Sequence, residues 1–291
     1  MGTLQTLSLP DGRTLAFRVY GDPDGFVVVN CHGGMMSGLD AELSDDAARA
    51  RGLAIVSPDR PGVGGSSRRE GHGMLTWART DLSSLLDHLG ARGFAVDRFG
   101  VMGWSEGGQY ALAIGHVHPE RVTAIALVAG ALPLDDSGTF AELNHTDQRL
   151  GRLAERAPLV ARAGFAATRV FTRALPRLAA RISGSALDPR DAAVIEGRHD
   201  WFSRTVVAGL RDSRGAVDQY RAFTGPWGFS PEEVPVPVVV HQGGADRMVP
   251  AAWAETFARR LPSASLRRYP EDGHFISISR GGEVLDTFSA R

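Results

Sequence analysis

The sequence holds one cysteine, Cys31, so an internal disulfide framework is excluded. That usage suits a reducing compartment, and a cytoplasmic location is the expectation. No apolar run approaches the ~18 residues that a membrane span requires. The N-terminus has no basic stretch followed by an apolar core, so no secretory signal is read there. An excess of one charge is also missing: 32 basic residues stand against 33 acidic ones, for a net charge of −1. There is no electrostatic case for nucleic acid or an anionic membrane as a partner. No repeat or low-complexity tract appears. No third ligand stands in register with His116 and His118, and residues two apart on a helix point in different directions, so no metal is expected. The glycines around Gly62, Gly64 and Gly65 lack the third glycine and the following acid of a dinucleotide fingerprint, so they read as a turn and no cofactor is expected.

What is present fits a globular protein of one large domain, or one domain with an insertion: 291 residues, 43% hydrophobic and 22% charged. A chain of about 300 residues buries roughly three quarters of its unfolded surface and needs no staple. Residues 3–9 and 13–20 alternate around Pro10-Asp11-Gly12 and predict a hairpin. Phe26–Cys31, Leu53–Ser57, Phe99–Met102 and Val122–Ala129 are near-continuous apolar runs, as strands buried on both faces require. Helical patterns over 40–51, 75–90 and from Gln109 to about His118 separate them. This alternation predicts a parallel sheet with helices on both faces. From about Leu132 to Glu232 the chain turns helical, with Pro158, Pro176 and Pro189 as dividers. Strands resume at Val236–Gln242 and Leu266–Tyr269, with helices near 250–261 and after Phe275. The expected organisation is therefore a core of 1–131 and 233–291 with a helical insertion, 132–232, lying above the sheet.

The chemistry centres on Gly103-Trp104-Ser105-Glu106-Gly107. A serine at the tip of a strand-to-helix turn needs small neighbours two residues to either side, because helix and strand cross closely there. Its hydroxyl then stands at the positive end of a helix, where a developing anion is stabilised. A serine hydroxyl needs a base, and that base needs an orienting carboxylate. His274 and Asp246 both follow predicted strands after the insertion, at the carboxyl ends where parallel sheets place their sites. The backbone N–H of Glu106 is one candidate oxyanion donor. The loop His32-Gly33-Gly34-Met35 offers the second, with Gly34 ahead of Met35. Trp104 and Met35 are candidate pocket walls. His32 is read as bracing its own loop and Cys31 as a small core hydrophobe. His145, Phe165, Phe171, His199, Trp201, Phe202 and Trp227 of the insertion divide between its own core and the pocket.

The order Ser105, Asp246, His274, with the His-Gly-Gly loop and the Asp59-Arg60-Pro61-Gly62-x-Gly64 turn, resembles the α/β-hydrolase family. The resemblance implies a mostly parallel eight-stranded sheet flanked by helices, a helical cap over the site, a Ser-His-Asp triad and no required cofactor. Many relatives have proline where this chain has Met35. Some carry the triad acid after the strand that here precedes Asp135 and Asp136, but Asp246 follows its own strand directly and is preferred. The implied function is a serine hydrolase acting through an acyl-enzyme on a small or medium carboxylic ester, thioester or lactone. C–C bond hydrolysis, cofactor-free perhydrolysis and peptidase-like cleavage remain open on the same triad. A rival of another class is a low-turnover ligand receptor that keeps the triad. The expected partner is a small-molecule substrate, and a homodimer through an exposed apolar cap surface is compatible with the sequence.

Overall fold

The computed structural model describes residues 2–289. Eight strands form one sheet: β1 (Gln5–Ser8), β2 (Thr14–Gly21), β3 (Phe26–Cys31), β4 (Leu53–Pro58), β5 (Phe99–Trp104), β6 (Val122–Val128), β7 (Val238–Gly243) and β8 (Ala264–Tyr269). Their spatial order is β1-β2-β4-β3-β5-β6-β7-β8. The hairpin β1–β2 and the β2–β4 pair are antiparallel, and every other pairing is parallel. The runs that read as doubly buried strands are so: all seven residues of β6 and all six of β4 are buried. Parallel register aligns the carboxyl ends, pairing Cys31 with Gly103, Trp104 with Val128, and Val128 with His241. The loops that follow β3, β5, β7 and β8 therefore open on one rim.

Two helical expectations shift in detail. The segment expected as one helix over 40–51 is a 3₁₀ stretch, Gly38–Ser44, running into a short helix, Asp45–Arg49. The cause is the buried Asp40, whose carboxylate accepts hydrogen bonds from Asn30 Nδ2 and the Gly33 N–H and so draws the chain toward the end of β3. The helix expected over 75–90 runs from Met74 to Ala91 and includes a π-helical turn, Ala78–Leu82.

Between β6 and β7 the described elements are helical. Pro158, Pro176 and Pro189 each sit at the start of a helix, where the missing N–H costs nothing. The later helices His199–Gly209 and Ser213–Thr224 lie against the core. Gly215 touches Gly62 so closely that a side chain at either would strike the other backbone. Leu159, Val160, Val170, Leu178 and Ile182 expose apolar surface on Pro158–Ala174 and Pro176–Gly184, as does Leu175 between them.

The close crossing predicted around the serine is observed. A Cβ on Gly103 would overlap the Gly107 carbonyl, and a Cβ on Gly107 would overlap the Cys31 carbonyl. Gly107→Ala is therefore expected to cost about 1–3 kcal/mol through overpacking. At roughly 2–4 °C per kcal/mol for a chain of this size, the loss is readable as a fall in Tm by calorimetry.

Candidate active site

Ser105 occupies the turn between β5 and the helix Gly107–Val117 with φ of +56°, a left-handed conformation that is strained for a residue with a Cβ. The strain is held from both sides. The Ser105 N–H donates to the Val128 carbonyl at 2.9 Å, and the Ser105 carbonyl accepts from the Gly108 N–H at 2.9 Å.

His274 lies in the loop after β8 and is 4% exposed. Its Nδ1 is 2.9 Å from Asp246 Oδ2. Burial works against a charged imidazole, but the Asp246 carboxylate and its hydrogen bond outweigh this, and the ring's pKa is raised above its ordinary value. Asp246 is itself fully organised. Its Oδ1 accepts from the N–H groups of Met248 and Val249 at 2.8 and 2.9 Å, and its Oδ2 also accepts from Gln242 Nε2. Asp136, of the rival position, forms an exposed ion pair with Arg260 instead. The Trp104 indole N–H donates to the His274 carbonyl at 2.9 Å and so ties the histidine loop to β5.

The loop after β3 is shaped by His32, Asp59 and Arg60. His32 does brace it: Nδ1 lies 2.9 Å from the Gly33 carbonyl, and Nε2 accepts the Arg60 backbone N–H at 3.3 Å. Desolvation keeps this ring neutral, well below the usual imidazole pKa. Cys31 is buried and its thiol is pushed up to about 12, so it is no nucleophile. Met35 has φ of +56°. Proline, locked near −65°, cannot adopt that backbone. A Cβ on Gly34 would lie 2.8 Å from Glu106 Oε2, so a side chain there would have to move that carboxylate oxygen.

Sequence reading took Asp59-Arg60-Pro61-Gly62 as a turn and missed what Arg60 does. Its guanidinium is buried, with Nη2 2.8 Å from Glu106 Oε1 and Nη1 2.6 Å from the His32 carbonyl. Its Nε donates to Gln219 Oε1 at 2.7 Å, and the group lies 4.4 Å from the centroid of the Tyr110 ring. Burial pushes the Glu106 carboxyl up to about 7 against the pull of Arg60. The carboxylate of Glu106 thus faces Arg60 beneath the loop.

Ser105, Glu106, His274, Gly34, Met35 and Trp104 all line one cavity of about 380 Å³. Of the aromatic and histidine residues singled out in the insertion, Phe202 alone is among its lining residues. Phe165 stacks on Tyr220, and Trp201 donates to the Leu39 carbonyl. The walls that sequence reading missed include Ile195, Val206, Tyr220, Phe223 and Met248. Tyr220 and Phe223, three residues apart on one helix, carried the only available signal. Among the described residues no cluster of His, Cys, Asp or Glu could hold a metal. No helix there is long and apolar enough to cross a membrane.

Residues 27–280 match the alpha/beta hydrolase fold family. The chain belongs to that family. This hydrolase is 28% identical over 250 residues to a pimeloyl-[acyl-carrier protein] methyl ester esterase of Aromatoleum aromaticum, with 80% of this chain and 86% of that protein covered. It is 28% identical to a non-heme chloroperoxidase of Streptomyces lividans, covering 98% and 97% of the two chains. The solved structure of an esterase from Exiguobacterium antarcticum superposes with a TM-score of 0.73 at 19% identity over the full length of both chains.

Removing one partner of a buried ion pair leaves an uncompensated charge and costs about 3–5 kcal/mol. Arg60→Met is expected to lose stability on that scale in urea unfolding. Adding Glu106→Gln should return part of the loss, because no orphaned carboxylate then remains.

Proposed function

We propose that this hydrolase cleaves a carboxylic ester, thioester or lactone by nucleophilic catalysis. The observation that carries the reading is the left-handed Ser105 opening into the same cavity as His274, whose Nδ1 is engaged by Asp246. Ser105 Oγ attacks the acyl carbon while His274 Nε2 accepts its proton. The tetrahedral oxyanion is held by the N–H groups of Glu106 and Gly34, an arrangement typically worth ~2.7–4 kcal/mol per donor. Collapse expels the alcohol or thiol, which takes the proton from His274. Water, deprotonated by His274, then attacks the acyl-enzyme. Asp246 keeps the ring oriented with Nε2 toward the serine and stabilises the imidazolium. The helical segment 132–232 acts as the cap. It supplies Ile195, Phe202, Val206, Tyr220 and Phe223, a mainly apolar wall suited to an apolar acyl or alcohol group.

Perhydrolysis is the second reading. It is favoured by the chloroperoxidase-named relative that spans nearly the whole chain. Hydrogen peroxide would replace water as the acceptor, giving a peracid in place of the acid.

A fluorophosphonate probe should modify Ser105, read by peptide mass spectrometry, and the label should vanish in Ser105→Ala and His274→Ala. Absence of label on folded wild-type protein would overturn the reading. Hydrolysis of an ester panel with and without peroxide separates acid from peracid products. The pH profile has a definite sign. His274 serves as base only when neutral, and its pKa is held above the ordinary 6.5. The acid limb of kcat/KM should therefore lie above pH 6.5 and move down in Asp246→Asn, with kcat reduced by about 10⁴.

A further inference from the structure

A second carboxylate reaches the histidine loop from the cap. Asp191 sits in the first turn of the helix Pro189–Gly197 and is 3% exposed. It does not cap its own helix; that is done by Asp188, whose side chain accepts from the Arg190 N–H. Both oxygens of Asp191 are spent on the core. Oδ2 accepts the backbone N–H of His274 at 2.6 Å, and Oδ1 accepts that of Phe275 at 2.9 Å. The fit is close: a Cβ on Gly273 would overlap the Asp191 carboxylate. Among the described residues no arginine forms an ion pair with Asp191.

Burying a carboxylate without a cation is costly, and two backbone donors offset that only in part. The two N–H groups are met by two separate acceptor oxygens, which a carboxylate supplies and a single amide oxygen does not. A negative charge retained within the buried surroundings of an ionisable ring is useful when the ring becomes positive. We propose that Asp191 is a positioning residue for His274: it fixes the main chain that presents the imidazole and, with Asp246, stabilises its protonated form. Asp246 acts on the ring and Asp191 on the backbone of the same residue. The base is then correctly placed only when the cap helix is seated. This inference rests on the serine-hydrolase reading.

The other groups around His274 are accounted for. Trp104 holds its carbonyl and Phe275 packs beside its ring. Asp147, on the helix His145–Arg156, adds a negative potential at the ring. Asp272, two residues before it, is paired with Arg280 and accepts from Ser279. Burial raises the Asp191 carboxyl, and its two N–H donors pull it back down.

The test compares Asp191→Asn, Asp191→Ala, Gly273→Ala and Arg190→Ala with wild type. Misplacing a reacting group by about 1 Å costs on the order of 100-fold, so kcat of Asp191→Ala should fall by that order with KM little changed. Asp191→Asn removes the charge and leaves one acceptor oxygen for the two N–H groups, so the acid limb of kcat/KM and the His274 titration seen by NMR should both move to lower pH. Gly273→Ala displaces the carboxylate from the core side and should reproduce the shift, which covers the case of an Asp191 variant that does not fold. Arg190→Ala breaks only the exposed pair with Glu271 and should leave both readouts unmoved. Unchanged titration and kcat in folded Asp191→Asn, with only Tm or KM altered, would reduce Asp191 to a cap anchor and overturn the proposal. The NMR titration needs no turnover. A wild type unreactive at Ser105 in which Asp191→Asn still lowers the His274 pKa would overturn the hydrolase reading and leave the Asp191 linkage standing.

Discussion

One buried cation ties together the loop after β3 and the turn after β5 that line the polar end of the cavity. The Arg60 guanidinium joins the His32 carbonyl in the loop after β3, the Glu106 carboxylate in the turn after β5, and the Gln219 amide of the helix Ser213–Thr224. These segments come from distant parts of the chain, and the two backbone donors proposed for the oxyanion belong to the first two. A planar fork of donors on a single carbon can satisfy all three at fixed angles, whereas an ammonium would hold them loosely. Tyr110 closes one face of the group, so the charge is compensated by Glu106 and by oriented dipoles rather than by water.

The polar groups gather at that end, and the rest of the cavity wall is mostly aliphatic and aromatic. This division has an electrostatic meaning. Charges and dipoles fixed in a low-dielectric setting act strongly on a developing oxyanion and need no reorganisation when it forms. The apolar portion contributes binding by excluding water and is indifferent to the fine structure of what fills it. The same fold therefore accommodates many substrates around one reactive arrangement.

Most of the fold was legible in the sequence because its signals are local. The doubly buried runs of β3, β4 and β6 leave no polar face, and the glycines at 103 and 107 mark a crossing that admits no side chain. Ser105, Asp246 and His274 stood out in the sequence because each lies within a few residues of a strand end. Arg60, Asp191 and the cavity walls did not, since their partners lie far along the chain, 83 residues away for Asp191 and His274. A carboxylate in the first turn of a helix looks like ordinary capping, and only the tertiary structure shows its oxygens turned elsewhere. The 3₁₀ stretch at Gly38–Ser44 escaped for a similar reason: the Asp40 carboxylate is drawn to Asn30 and the Gly33 N–H at the end of β3.

The direct contact between Gly62 and Gly215, together with the Gln219 amide on Arg60, bears on how this protein can be remodelled. Here the graft boundary does not follow the ends of β6 and β7. A foreign segment would have to bring a side-chain-free position to meet Gly62 and an acceptor for Arg60, or the recipient's own loops would lose their supports. The outer pair, Pro158–Ala174 and Pro176–Gly184, makes neither of these two contacts, although Ile182 and Ser183 line the cavity and Phe165 stacks on Tyr220.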